Sequence, residues 1–350
     1  MTPAGRNLDF IGADSDPESL RALAALAEDE GTDPGLAEAE SRQAPVQTLQ
    51  HGERLDRALA VLVPEFSRNY LQQLIEGGAV QLDGRTVLKT STKVKVGEVL
   101  RIELRPTPQS QAFQPEAMDL DVVYEDEHLM VLHKPAGLVV HPAPGHWSGT
   151  LLNGLLAHHA GARLLPRAGI VHRLDKDTSG LMVVAKTRQV MEALVALIAG
   201  REVRREYIAL AHKAWQGPAE QRVEQAVGRD PRQRVRMAVV DLERHAGKPA
   251  LTDVRLMDNG PEACLLHCKL HTGRTHQIRV HLQHLGHPLL ADELYGGRLL
   301  AGLSRQALHA WRLSLVHPVT GEQLAWRAPL PADMRQALDR LGLQGGAELE

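Results

Sequence analysis

The sequence predicts an α+β protein: a mixed, largely antiparallel sheet flanked by helices, preceded by a small unit of two helices followed by strands. Three observations lead there. Strand-like and helix-like patterns alternate irregularly from residue 118 to about 335. The chain has no regular βαβ repeat and neither a GxGxxG nor a GxxxxGK loop, which argues against dinucleotide-binding and P-loop folds. Near the N-terminal third, two amphipathic stretches lead into short alternating runs punctuated by Asp83-Gly84 and Gly97, as hairpins are.

In order, residues 1–46 read as a disordered acidic extension, rich in Ala, Pro and Gly, whose one periodic piece, ESLRALAALAEDE, has no core to pack against. Residues 52–104 read as a self-contained unit. Its helices are ERLDRALAVLV and SRNYLQQLIEGG, the second capped by Ser67 and stopped at Gly77-Gly78; AVQLDGRTV and KVKVGEVLRIEL supply its strands. The Pro- and Gln-rich 105–117 is a linker. The large domain runs 118–335: DLDVVYEDEHLMVLHKPAG as a strand pair, TLLNGLLAHHA as a helix, GLMVVAK as a strand, VMEALVALIAG as a helix, then REYIALA and ACLLHCKL as strands. Residues 336–350 read as a tail.

A chain of 350 residues with 43% hydrophobic content can bury a sizeable core over two or three domains. No apolar run approaches the ~18 residues of a membrane span, and the N-terminus lacks a secretory pattern, so a cytoplasmic protein is expected. Cys264 and Cys268 fall on one face of the same strand and read as buried thiols, and the histidines at 271, 276, 281, 284 and 287 lack sensible metal-ligand spacing. The net charge of −3 conceals an asymmetry, because the first 50 residues set three arginines against ten acids and carry −7, leaving +4 on the rest. That mildly basic remainder, with arginines clustered at 201–207 and 228–236, suits a nucleic-acid partner.

The densest chemistry is HRLDKDTSG at 172–180: Asp175 amid charged and hydroxylic residues, Gly180 ending the run, and LMVVA following as a buried strand. By itself this could be a solvated turn in which Asp175 caps amides or pairs with Arg173 or Lys176. The pattern as a whole resembles the central motif of the RluA/RluD-type RNA pseudouridine synthases, HRLD, two variable positions, then T-S/T-G. The resemblance implies that Asp175 acts on the target nucleotide, as nucleophile at the sugar or as the base that forms a glycal; Asp177 does not align. It also implies that Arg173 fills the space of the flipped base, with an ion pair to Asp177 as the plain alternative.

Further stretches extend the resemblance. LHTGRTHQIRVH (270–281) is similar to the family's T-G-R-x-H-Q-I-R, which implies that Arg274 pairs with the catalytic aspartate; without it, Arg274 reads as a surface loop cation. His276, Gln277 and Arg279 would support the loop or touch phosphate. REY at 205–207 matches the family's tyrosine, so Tyr207 would stack on the target ring, and it could remove a proton only if its pKa of about 10 were lowered. HKPAGLVVHP (133–142), GKPALT (247–252), HPLLADELYGG (287–297) and RQALHAWRLSLVHP (305–318) also match, with Ala291 where Gly is usual and His271 where Glu is frequent. The 52–104 unit resembles the S4 RNA-binding domain, which implies phosphate contacts at Arg57 and Arg68.

The family reading implies base flipping and uridine isomerisation, in large-subunit ribosomal RNA because an S4 unit precedes the catalytic domain. The partner would be ribosomal RNA or a pre-ribosomal particle, met by a monomer without metal, nucleotide or other cofactor. Two rivals are a non-catalytic RNA-binding or assembly factor, resting on the S4-like unit, and a glycoside hydrolase, which would need a second carboxylate about 5–9.5 Å from the first.

Overall fold

Two-residue alternation and helical spacing of apolar side chains generate the architecture seen in a computed structural model of the chain, which describes residues 40–64, 66–104, 112–143, 146–233, 235–344 and 349. The expected disorder of residues 1–39 and most of the expected linker lie outside the described residues.

The first sheet belongs to the S4-like unit. Strand β1 (Glu40–Pro45) precedes helices α1 (Leu55–Leu62) and α2 (Arg68–Glu76), followed by β2 (Val80–Leu82), β3 (Arg85–Thr86) and β4 (Val99–Leu104), in sheet order β1-β4-β2-β3. The expectation of an unstructured segment through residue 46 is therefore corrected: 40–45 pair antiparallel along the whole of β4. Ladder hydrogen bonds to a ready edge order this segment despite its weak apolar pattern. Ser67 caps α2 as expected, its hydroxyl accepting from the Tyr70 amide at 3.2 Å. Asp83 and Gly84 both take positive φ, 48° and 73°, as a tight two-residue hairpin turn requires. Leu55, Leu59, Leu71, Leu74, Ile75, Leu100 and Ile102 meet in one core.

The large sheet has nine strands among the described residues. In chain order its first elements are β5 (Val122–Glu125), β6 (Leu129–Lys134), α3 (Leu151–His158), β7 (Ser179–Ala185), α4 (Arg188–Ala199), β8 (Arg204–His212) and β9 (Glu220–Glu224). A small three-stranded sheet follows, formed by β10 (Val227–Arg229), β11 (Met237–Val239) and β12 (Gly247–Lys248). The chain then continues through β13 (Leu251–Asn259), β14 (Ala263–Leu270), α5 (Gln277–His284), β15 (Leu308–Val316), β16 (Gln323–Arg327) and α6 (Ala332–Leu341). The order is β5-β6-β7-β15-β8-β14-β13-β9, with β16 pairing on β15; only β7 and β15 are parallel. Period-2 alternation divides the side chains between two cores. Met130, Leu132, Met182, Val184 and Tyr207 pack with Leu151 and Leu155 of α3 and Ile278 and Leu282 of α5. On the opposite face Leu129, Val131, Leu181 and Val183 pack with Val190 and Leu194 of α4, and Ile208 and Leu210 pack with Met334 and Ala337 of α6. Cys264 and Cys268 are buried, free thiols.

The expected tail at 336–350 is a second correction. Ala337, Leu338 and Leu343 are buried in the core, because α6 runs through the expected boundary on an amphipathic pattern.

Gly180 does more than end a polar run. It lies inside β7 with φ +118°, and a Cβ there would stand 2.2 Å from the Ala310 carbonyl oxygen of the parallel neighbour β15. The bare backbone admits that close approach directly after the polar loop.

Candidate active site

The loop 172–178 is irregular and leads directly into β7, and Asp175 meets the first turn of α5 through Arg279. Three interactions from within the protein tie the loop down. The His172 Nε2 accepts from the Val183 amide at 3.1 Å, so the imidazole turns inward rather than into solvent. Lys134, fully buried at the end of β6, donates to the carbonyls of Pro135, Leu138 and Lys176 at 2.8, 2.9 and 2.8 Å. Burial pushes its amine down to about 7. Arg305, held by Asp333 in the first turn of α6, donates to the Asp177 carbonyl at 2.9 Å.

Asp175 meets a guanidinium, and the residue supplying it is Arg279. Arg279 Nη1 donates to Asp175 Oδ2 at 3.0 Å, while Nε and Nη2 form a fork with Asp292 at 2.8 Å each. Burial opposes the Arg279 charge, but the Asp292 hydrogen bonds and the two neighbouring carboxylates outweigh it and raise its pKa further. The expectation that Arg274 makes this pair is corrected: Arg274 Nε donates to the Pro249 carbonyl at 3.1 Å. The geometry of the motif decides this. Gln277 Oε1 accepts from the Arg274 amide and the Thr272 hydroxyl, holding 272–274 as a loop, whereas α5 begins at Gln277 and places Arg279 in its first turn facing the carboxylate. Gly273 leaves room for Arg205, whose Nη1 lies 2.7 Å from where a Cβ would be.

His276, at the junction, takes a left-handed φ of 56° and brings Nε2 to 3.8 Å from Asp175 Oδ1. Its Nδ1 is 2.8 Å from the Tyr295 hydroxyl, and the Arg279 guanidinium lies 4.9 Å over the Tyr295 ring. Lys134, His276, Arg279, Asp292 and Tyr295 all sit inside stretches singled out in the sequence, yet no local pattern marks which of them face Asp175.

Tyr207 is buried on the same face of the sheet, in the core beside α3 and α5. Burial pushes its phenol up to about 12, with Arg205 drawing it down and Asp175 raising it again. Such a phenol is neutral near pH 7. Arg173 is exposed, forms no ion pair with Asp177, and its charge bears on both His276 and His141. In the S4-like unit, Arg57 is exposed, whereas Arg68 is first a counter-ion: it joins Arg54 and Gln72 around the fully buried Asp56, with Arg68 Nη2 2.8 Å from Oδ2. Burial opposes the Asp56 charge, but these donors hold its carboxyl well below the usual range. The outer half of Arg68 is exposed.

Residues 128–284 match the family model described as RNA pseudouridylate synthase, and residues 53–100 match that of the S4 domain. The chain is 46% identical over 308 residues to the ribosomal large subunit pseudouridine synthase D of Neisseria meningitidis serogroup A, covering 85% of this chain and 81% of that protein. The chain belongs to the RNA pseudouridylate synthase family. Proteins of the same name from Nitrosomonas europaea (47% identical, 83% of this chain, 85% of that one) and Yersinia pestis (42%, 87% and 96%) are comparably similar. The chain is thus an RNA pseudouridine synthase whose large domain carries the antiparallel-rich mixed sheet expected of it.

Both departures of this synthase from the family pattern have structural consequences. Ala291 adopts φ +57°, a conformation costly for an L side chain, so Ala291→Gly is expected to stabilise the synthase by about 1 kcal/mol, read as a shift of the urea midpoint at unchanged slope. His271 lies 2.6 Å from Asp253 Oδ2, where a glutamate would face a like charge.

Acid sensitivity follows from three buried imidazoles. Burial pushes His172 down to about 3 and His141 and His309 to about 4, so the folded state refuses protons that the unfolded chain takes up below about pH 6.5. Stability is therefore full above that pH and falls on acidification, each histidine contributing about 1.4 kcal/mol per pH unit. Urea midpoints at pH 7, 6 and 5 should fall progressively; a flat profile would contradict the buried neutral state.

Proposed function

We propose that this synthase converts specific uridines of large-subunit ribosomal RNA to pseudouridine, with Asp175 as the acting carboxylate. The observation that carries the reading is the Asp175–Arg279–Asp292 chain, in which a permanently charged fork is held by one buried acid and offers one N–H to the other. That arrangement keeps Asp175 aimed. One carboxylate oxygen is engaged by Arg279, and the other faces away from that bond, free to act at the sugar of a nucleotide swung out of its stack.

Within this reading Tyr207 stacks against the target ring, since a buried neutral phenol offers a surface but not a base. Arg173, exposed next to the site, enters the space left by the flipped base. Arg274 serves the RNA side of the site, beside Arg205. Arg57 and the outer half of Arg68 contact phosphate in the S4-like unit, where α2 adds the positive end of its dipole. The glycoside hydrolase alternative lacks support: Asp292, the carboxylate on the far side of Arg279, has both oxygens committed to that guanidinium. Ribosomal RNA or a pre-ribosomal particle as the partner, a cytoplasmic setting and action as a monomer belong to the same proposal.

The test is a map of pseudouridines in ribosomal RNA from cells with and without this protein, by carbodiimide labelling and reverse transcription. Loss of specific large-subunit sites is the expected result; an unchanged map would end the reading.

A further inference from the structure

The two oxygens of Asp175 stand in different surroundings. Oδ2 accepts from Arg279 at 3.0 Å, whereas Oδ1 looks toward His276 Nε2 across 3.8 Å, too far for a hydrogen bond. His276 is fixed there at some cost, in a left-handed conformation unusual for a residue with a Cβ, at the cap of α5.

The protonation of its ring follows from its neighbours. The Met237 amide donates to the Tyr295 hydroxyl oxygen at 2.9 Å, and the other partner of that hydroxyl among the described residues is His276 Nδ1 at 2.8 Å. With its oxygen accepting from that amide, the phenol is satisfied as a donor as well when it gives its proton to Nδ1, the arrangement that completes the hydroxyl's hydrogen bonding. Burial holds the imidazole below its ordinary value, so the ring is neutral near pH 7 and its single N–H sits on Nε2, directed at the gap beside Oδ1. An oxygen atom about 2.8 Å from both Nε2 and Oδ1 fits that gap, accepting from the first and donating to the second.

We infer that His276 Nε2–H and Asp175 Oδ1 together bind the 2′-hydroxyl of the target nucleotide, making His276 a specificity-determining residue that reads ribose. This rests on Asp175 acting at the sugar. A carboxylate approaching C1′ from the side opposite the base meets the 2′-hydroxyl on that same side, and this hydroxyl is the group that separates RNA from DNA. The Tyr295 hydroxyl then has a defined task, to keep the imidazole proton on the nitrogen that faces substrate.

The experiment is a cycle between enzyme and substrate. Single-turnover rates are measured for the full-length wild-type protein and His276→Asn, a residue that tolerates the left-handed backbone, on a synthetic RNA hairpin carrying one mapped target uridine and on the same hairpin with that nucleotide 2′-deoxy. The deoxy sugar changes the intrinsic chemistry equally for both proteins, so the informative quantity is the ribo/deoxy rate ratio. It is expected to fall about threefold to tenfold in His276→Asn relative to wild type, the value of one hydrogen bond. An unchanged or larger ratio overturns the inference. If His276→Asn does not fold, Tyr295→Phe, which releases the imidazole proton from Nε2, must lower the ratio in the same direction, and an unchanged ratio is again decisive against it. Failure of the wild type to convert the ribo hairpin would instead count against Asp175 and the proposed function.

Discussion

Asp175→Asn is expected to lower pseudouridine formation by about 10³-fold or more while RNA binding persists, because the amide keeps the shape of the side chain but can act neither as nucleophile nor as base. Carbodiimide reverse transcription on ribosomal RNA measures the product, and a filter-binding titration measures affinity. The amide also replaces the carboxylate that accepts from Arg279 at 3.0 Å. Arg279 still has Asp292, whose two hydrogen bonds of 2.8 Å keep the guanidinium paired, so the fold should survive. An Asp175→Asn protein with ordinary activity would remove Asp175 from the chemistry and end its assignment as the acting carboxylate.

Arg279→Ala should damage both stability and rate. Asp292 is 2% exposed and has its carboxylate matched to the Arg279 fork; truncation leaves that charge buried without its partner, at a cost of about 3–5 kcal/mol in urea denaturation. Asp175 loses its aiming contact at the same time, and a displacement of about 1 Å at the reacting group is enough for a roughly 10²-fold fall in turnover. Arg279→Lys keeps the charge, but one ammonium cannot form a planar fork with Asp292 and also reach Asp175, so partial loss of both quantities is expected. The comparison that separates the two motif arginines is Arg274→Ala, which leaves the Arg279 fork to Asp292 and its contact with Asp175 in place and so should cost less stability than Arg279→Ala. A larger stability loss in Arg274→Ala than in Arg279→Ala would reverse the assignment.

The contrast between these two arginines shows what kind of information the sequence carried. Both lie in TGRTHQIR, and both are compatible with a carboxylate partner at the level of residue type. Which one turns toward Asp175 depends on where the helix starts, on the left-handed turn at His276 and on the Gln277 bonds that hold the preceding loop. The pair spans 104 residues of sequence, and no local periodicity encodes so distant a meeting. Lys134 was in view within HKPAG, but that its amine would hold the Lys176 carbonyl required the adjacency of β6 and β7.

By itself the sequence determined the element types, the polar loop feeding β7, the Ser67 cap and the Asp83-Gly84 hairpin, because each rests on residue spacing and turn chemistry within about a dozen positions, whereas Asp175 stood out only through the resemblance of the motif around it. The tertiary structure alone decided which cation meets that carboxylate, that residues 40–45 and 336–343 join the folded body, and that Gly180 yields space to Ala310. Those outcomes come from ladder pairing, burial and close approach between segments far apart in the chain, where the free energy belongs to the contact and neither partner's neighbourhood announces it.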